Sequence, residues 1–172
     1  MTLPTPAPPP QIQLYTIGAY GFTESSFFQT LQNAKIDTFC DIRARRGVRG
    51  SEYAFVNSTR LQARLAEIGI HYEHRLELAP DREIRLQQYE KDKESHVAKR
   101  QRVELSPEFI EAYRQSRLVT FDSQAFLASL GPDARRVVLF CVEREASACH
   151  RSLVAERLAN DFALEITHLS PP

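Results

Sequence analysis

The chain of 172 residues carries 22 basic and 22 acidic residues, so its formal net charge is zero, and 42% of its residues are hydrophobic. This composition is typical of a soluble globular protein. With a net charge of zero, the chain as a whole lacks the excess of positive charge that is common in nucleic-acid-binding proteins. No apolar run approaches the ~20 residues that a membrane helix needs, which argues against a helical membrane protein.

The domain organisation follows from composition along the chain. The first ten residues, MTLPTPAPPP, contain five prolines and lack the basic and apolar regions of a signal peptide. We expect a disordered tail over residues 1–11 and a single domain over residues 12–170, in which the strongly charged segment 81–104 forms a helical excursion or lid. The three cysteines, an odd number without a secretion signal, favour a reduced, cytoplasmic protein.

Short apolar segments that alternate with helical patterns predict the fold. Strands are expected at residues 12–18, 37–42, 70–74, 135–143 and 163–169. Helices are expected at residues 22–34, 59–68, 122–131 and 148–161, and another begins at residue 106. Strands that are apolar nearly throughout and alternate with helices indicate a parallel sheet. We therefore predict a single three-layer, Rossmann-like α/β domain with a mainly parallel sheet of about five strands, in a Rossmann-like order, and helices on both faces.

Four of the predicted helices begin with residues suited to capping, and Ser58 is the expected cap of the second of them. Thr23 or Ser25 can cap the first of them, and Ser106 followed by Pro107 is a typical helix start. Ser147 is the expected cap of the last long helix. These side chains would accept hydrogen bonds from backbone N–H groups that have no partner within the helix.

Polar and reactive residues collect in three loops that follow predicted strands. These loops are GAYG at residues 18–21, the segment 41–49, and CVEREASACHRS at residues 141–152. In open α/β sheets, ligands bind outside the carboxyl ends of the strands. The sequence therefore predicts one ligand-binding crevice at this edge of the sheet.

The loop after the second strand is rich in arginine. Arg43, Arg45, Arg46 and Arg49 lie within seven residues, and the planar guanidinium group suits phosphate or carboxylate. We predict that these four residues bind an anionic ligand. The alternative is a solvated surface loop whose charges are partly paired.

Two carboxylates stand at the ends of predicted strands. Asp41 ends the second strand and Glu143 ends the fourth. Converging carboxylates can act as acid, base or nucleophile in hydrolytic chemistry, so both are candidate catalytic residues. The alternatives are an ion pair of Asp41 with a neighbouring arginine and an ion pair of Glu143 with Arg144 or Arg151.

The start of the last long helix is a second anion-binding candidate. Cys149, His150 and Arg151 would lie in its first turn, where unpaired N–H groups and the helix dipole favour anions. A nucleophilic Cys149 is a weaker hypothesis, because no arginine follows at the spacing of cysteine phosphatases. The spacing of Cys141, Cys149 and His150 matches no standard zinc pattern. We therefore predict no metal and no cofactor, and we place Cys141 in the core.

Several motifs together resemble the Domain of Unknown Function 488 family, from Leu14 to Leu169. They are TIG after the first strand, DIR after the second, GIHY, CVE followed after five residues by CHR, and a last strand ending in TH. The resemblance is specific at CVE…CHR, and the residues that match there are Cys141, Glu143, Cys149, His150 and Arg151. Asp41 and Arg43 match the family's second-strand motif. The resemblance implies an α/β fold with its site at these motifs, and it implies no reaction.

The chain also departs from the family's usual pattern. Ala19-Tyr20 stands where His-Ser is usual, Ala44 replaces a frequent proline, and Leu78-Ala79-Pro80 replaces Leu-Gly-Gly. A missing histidine at residue 19 implies an altered substrate or activity if that histidine takes part in the chemistry.

Taken together, these residues predict a protein that binds a phosphate-bearing ligand, a nucleotide or nucleic acid. As an enzyme it would hydrolyse an N-glycosidic or phosphoester bond. Two alternatives stay open: a non-catalytic nucleic-acid-binding module, and a thiol- or metal-dependent protein. No membrane partner is expected.

Overall fold

A computed structural model describes residues 11–172 of the chain. Its strands are β1 (Gln13–Ile17), β2 (Thr38–Asp41), β3 (His71–His74), β4 (Arg136–Phe140) and β5 (Ile166–Leu169). Its α-helices are α1 (Glu24–Asn33), α2 (Ser58–Glu67), α3 (Arg82–Glu94), α4 (Pro107–Tyr113), α5 (Ser123–Ser129) and α6 (His150–Phe162). None of these helices has the length and apolar character that a membrane span needs. The predicted tail over residues 1–11 lies outside the described range except for Gln11.

The five strands form one sheet in the order β3-β2-β4-β1-β5, and every neighbouring pair is parallel. The predicted parallel sheet is therefore confirmed. The order differs from that of dinucleotide-binding domains, in which the first strand lies between the second and the fourth. Here β4, four of whose five residues are buried, lies between β2 and β1. This arrangement places the loop after β4 between the loops that leave β1 and β2.

Helices cover both faces of the sheet, as predicted. On one face, α1 and α2 bury Phe27, Leu31 and Leu61 in a cluster that includes Phe140 of β4. On the other face, helices α3 to α6 pack against a second cluster that includes Leu139. Each fully buried side chain of this size contributes about 1.5–3 kcal/mol relative to its exposed state. The result is the three-layer α/β domain that the alternating pattern predicts.

Two of the predicted helix caps are confirmed. Thr23 accepts a hydrogen bond from the backbone N–H of Ser26, and the Ser26 side chain accepts one from the backbone of Thr23, which is a capping box. Ser106 accepts from the N–H of Phe109 at the start of α4. These bonds satisfy N–H groups that the helices themselves leave unpaired.

The predicted cap of α2 is wrong. Ser58 is the first residue of this helix, and Asn57 holds the cap position without a side-chain hydrogen bond.

The predicted cap of α6 is also wrong. Ser147 lies in a 3₁₀ turn, Ala146–Ala148, and its hydroxyl donates to the carbonyl of Val103. Cys149 takes the cap position, where its sulfur accepts from the N–H of Arg151 at 3.5 Å. The helix therefore begins later than expected, because the 3₁₀ turn precedes it.

The charged segment 81–104 contains α3 and a 3₁₀ turn, Lys99–Gln101. Arg102 attaches the end of this segment to the rest of the domain, since its Nε and Nη2 donate to the carbonyl of Ala148, each at 3.2 Å. The segment thus lies beside the loop that leaves β4.

Candidate functional site

A cavity of about 490 Å³ lies at the carboxyl ends of β2 and β4. Its wall is formed by the loops after these strands, the start of α6 and the segment 81–104. Among the described residues that line it, Glu143 is the only acidic one. The cationic lining residues are Arg43, Arg45, Arg49, Arg85, Lys99, Arg100 and Arg102. The cavity therefore presents an excess of positive charge around one carboxylate.

The loop after β1 is attached directly to the loop after β4. The backbone N–H groups of Ala19 and Tyr20 both donate to the carbonyl of Val142, each at 3.0 Å. The Tyr20 side chain lines the cavity, whereas Ala19 is fully buried. The predicted convergence of loops at one edge of the sheet is thus what the structure shows.

Glu143 is a buried, ion-paired carboxylate in the cavity wall. Its Oε1 accepts a hydrogen bond from Nη2 of Arg102 at 3.2 Å and lies 3.7 Å from Nζ of Lys99. Its Oε2 is buried and has no hydrogen-bond partner among residues 11–172. Burial alone would raise the pKa of Glu143, but the positive charges of Lys99 and Arg102 outweigh burial and lower the pKa to about 2.

Lys99 and Arg102 were not among the residues that the sequence indicated. Arg102 is 7% exposed and joins two acids, because its Nη1 donates to Asp92 at 2.6 Å while its Nη2 donates to Glu143. Burial would lower the pKa of Lys99, and the charge of Glu143 outweighs it and raises the pKa. The sequence signal that could have revealed these two residues is the high content of lysine and arginine in segment 81–104. The same composition is typical of a solvated helical surface.

Asp41 does not meet Glu143 in the cavity. It is fully buried, and its carboxylate accepts from Nε of Arg43 at 2.9 Å and from Nη2 of the same residue at 2.8 Å. The hydroxyl of Tyr72 donates to its Oδ2 at 2.7 Å. The structure therefore shows the ion pair that was the alternative to a catalytic Asp41, and this pair holds Arg43 in the cavity wall.

The four arginines of the loop after β2 have different environments. Arg43 is 3% exposed and also donates to the carbonyl of Val56 at 2.9 Å. Arg45 and Arg49 are exposed and line the cavity. Arg46 is half-buried beside Tyr72 and is not part of the lining. Arg45 and Arg49 are thus the members of the loop that can reach a ligand through solvent-facing guanidinium groups.

The residues at the start of α6 also differ in whether they line the cavity. Cys149 and His150 line the cavity. Arg151 is 1% exposed and is not part of the lining: its Nη1 donates to the carbonyl of Glu143 at 2.6 Å and its Nη2 donates to that of Arg144 at 3.1 Å. Arg151 therefore fixes the backbone from which the Glu143 side chain projects.

Cys141 meets Cys149 and His150 beside the cavity. The two sulfur atoms and a ring nitrogen of His150 all lie within 4.8 Å of one another. Cys141 is 6% exposed, consistent with a core position, but it also lines the cavity. A hydrogen bond to Cys149, together with burial, raises the pKa of the Cys141 thiol. The sequence spacing of these three residues matches no standard zinc pattern, yet the 3₁₀ turn brings the end of β4 and the start of α6 together at one point.

Comparison with known proteins supports the resemblance seen in the sequence. Neither a search of curated proteins nor a search of solved structures gives a significant match. A family model described as domain of unknown function DUF488 matches residues 24–158. Because this stretch is well over half of the chain and contains Asp41, Glu143 and the motif Cys149-His150-Arg151, the chain belongs to the DUF488 family.

Proposed function

We propose that the cavity binds a phosphate-bearing ligand of the nucleotide class and that Glu143 acts on this ligand in a hydrolytic reaction. The observation that carries the proposal is the charge arrangement of the lining. One buried carboxylate, with an oxygen that has no partner among residues 11–172, lies in a wall whose other charged side chains are cations.

The cationic lining suits phosphate. Arginine offers a planar set of donors that matches phosphate oxygens, and such charge-assisted hydrogen bonds are stronger than neutral ones. Arg45 and Arg49 face solvent, so they can bind an incoming anion first. The Nε atom of Arg85 is buried without a hydrogen-bond partner among residues 11–172. A ligand oxygen that accepts from this group would remove the cost of leaving it unpaired.

An aromatic side chain in the same wall suits the base of a nucleotide. Tyr89 lines the cavity and is 39% exposed, whereas Tyr20, which also lines it, is 8% exposed and lies under the guanidinium group of Arg100. Flat aromatic rings stack on nucleobases without requiring one particular base. A cavity of about 490 Å³ is also within the range of small-molecule sites. These features favour a single nucleotide over a duplex as the occupant.

The position of Glu143 favours cleavage of an N-glycosidic bond. A carboxylate paired with Arg102 and Lys99 carries negative charge beside the ligand. Such a group stabilises the positively charged sugar that forms when a glycosidic bond breaks. We therefore place the reacting bond between sugar and base.

The binding step is tested with nucleoside 5′-monophosphates in calorimetric titrations. The variant carrying Arg45→Ala and Arg49→Ala is expected to bind at least about tenfold more weakly, because each lost charge-assisted hydrogen bond costs about 1.5–3 kcal/mol. Arg114→Ala, which removes an exposed arginine outside the lining, should leave the affinity unchanged. Equal affinity of the double variant and the wild type, or equal affinity for the nucleosides without phosphate, would contradict the proposal.

The chemical step is tested by following free base released from each bound nucleotide by chromatography. Glu143→Gln keeps the shape of the side chain but removes its charge, and it should slow release by at least about 10²-fold. Nucleotide binding should persist in this variant. If the wild type binds nucleotides and releases no base, the hydrolytic assignment is wrong and the cavity is a binding module.

A further inference from the structure

We propose that Cys141, Cys149 and His150 form a Cys₂His site for one Zn²⁺ ion, with the fourth coordination position open to the cavity. The proposal does not depend on the nucleotide assignment, because it rests on the geometry of these three side chains. Among residues 11–172, they are the one group of three or more possible ligand side chains that converges in this way.

The separations of the three ligand atoms suit a tetrahedral ion. Zinc binds sulfur at about 2.3 Å and imidazole nitrogen at about 2.0 Å, which places tetrahedral ligands about 3.5–3.8 Å apart. Nδ1 of His150 lies 3.7 Å from Sγ of Cys149. The whole group lies within 4.8 Å. The three ligand atoms are therefore already close to the spacing that one tetrahedral ion requires.

The histidine ring is oriented for coordination through Nδ1. Its Nε2 lies 2.9 Å from the carbonyl oxygen of Ile42, which can only accept a hydrogen bond. The proton of a neutral His150 is therefore on Nε2, and Nδ1 offers its lone pair toward Cys149. A backbone carbonyl that accepts from the outer nitrogen is one of the common partners of a metal-binding histidine.

Cys149 has a matching outer contact. The backbone N–H of Arg151 points at its sulfur, 3.5 Å away, at the start of α6. Outer contacts of this kind hold the sulfur of a metal ligand in place. An ion held by two thiolates displaces two thiol protons, so the net charge of the site is unchanged. The cationic wall of the cavity is therefore no obstacle to the bound ion.

The location of the group explains the open fourth position. Cys141 follows β4, and the other two residues stand at the start of α6, so rigid elements hold all three. Each of them is at most 6% exposed, yet all three line the cavity. Three protein ligands with one position left for water or substrate are typical of catalytic rather than structural zinc sites. Cys40, by contrast, is fully buried among apolar side chains of the second cluster.

The test uses the full-length chain, purified with reductant and freed of metal by a chelator. Addition of Zn²⁺ should give one bound ion per chain by elemental analysis, with release of two thiol protons. Co²⁺ in its place should give a cobalt–thiolate charge-transfer band and the intense visible bands of tetrahedral coordination. The proposal would be overturned if the fully reduced chain binds no zinc, or if bound cobalt gives an octahedral spectrum. Neither result depends on a variant.

Two cysteine variants localise the ion. In Cys149→Ala, the cobalt–thiolate charge-transfer band should lose the intensity that one thiolate contributes. The zinc affinity of this variant should fall by more than the 10–100-fold that loss of an outer contact typically costs. Cys40→Ala is the matched control, since it removes a buried cysteine outside the group, and it should bind zinc like the wild type. Unchanged affinity in Cys149→Ala, or a Cys141–Cys149 disulfide whose reduction yields no metal binding, would show that the pair is not a zinc site.

Discussion

Replacing Arg102 with alanine is expected to lower the free energy of unfolding by about 3–5 kcal/mol, measured by denaturant titration. Removal of one partner from a buried ion pair leaves the other charge buried without compensation, and this strongly lowers stability. Arg102 has two such partners, Asp92 and Glu143, and both are buried. The same change should also loosen the end of segment 81–104, because Arg102 donates to the carbonyl of Ala148.

Arg100→Ala is the matched control for this loss. It lies two residues away in the same turn, but its ion pair with Glu52 is exposed, and its guanidinium group covers the rings of Tyr20 and Tyr53. Exposed ion pairs contribute ~0–1 kcal/mol, and an exposed cation–π contact contributes about as much. If both variants lose a similar free energy of unfolding, burial of the Arg102 ion pairs is not the reason for their contribution to stability.

Gly18→Ala is expected to destabilise the protein by about 3 kcal/mol and to distort the cavity. A Cβ atom at residue 18 would lie 1.9 Å from the carbonyl oxygen of Glu143 and 2.9 Å from its carbonyl carbon. These are backbone atoms, so relief requires the loops after β1 and β4 to separate. Overpacking of a closely packed region typically costs about 1–3 kcal/mol, and a backbone clash belongs at the upper end.

Gly47→Ala tests whether the effect comes from this contact. Gly47 also lines the cavity, yet the nearest atom to its added Cβ, Oδ1 of Asn57, is at an ordinary 3.8 Å. Its free energy of unfolding should stay within about 0.5 kcal/mol of the wild type. Hydrogen exchange at Ala19 and Tyr20 should rise in Gly18→Ala alone, because their N–H groups bond the loop after β4. Unchanged exchange there would contradict the predicted separation.

The elements of this fold were predictable because their signals are local. Thr23 and Ser106 begin helices by bonds to residues three positions away, and the apolar run of β4 is recognisable from its composition. Strand order depends on contacts between distant parts of the chain, so the position of β4 between β2 and β1 was not predictable in this way. The misplaced cap at Ser147 has the same cause, since Val103 binds its hydroxyl.

The location of the cavity was predictable from the sequence, but the residues that line it were predictable only in part. The rule that ligands bind at strand carboxyl ends led to Glu143, Arg45 and Arg49, and all three line the cavity. The rule does not say which way a side chain points. Asp41 is turned toward Arg43 and Tyr72 inside the domain.

The central position of β4 has a consequence for how the protein is made. Gln13 of β1 pairs with Arg136, and Asp41 of β2 pairs with Phe140, so both early strands lack a neighbour on that side until β4 has been synthesised. Pairings of such high sequence separation slow folding, because loop closure must precede any gain in contacts. The emerging chain therefore leaves the backbone N–H and C=O groups along one edge of β2 without strand partners until the residues that complete the cavity have been synthesised.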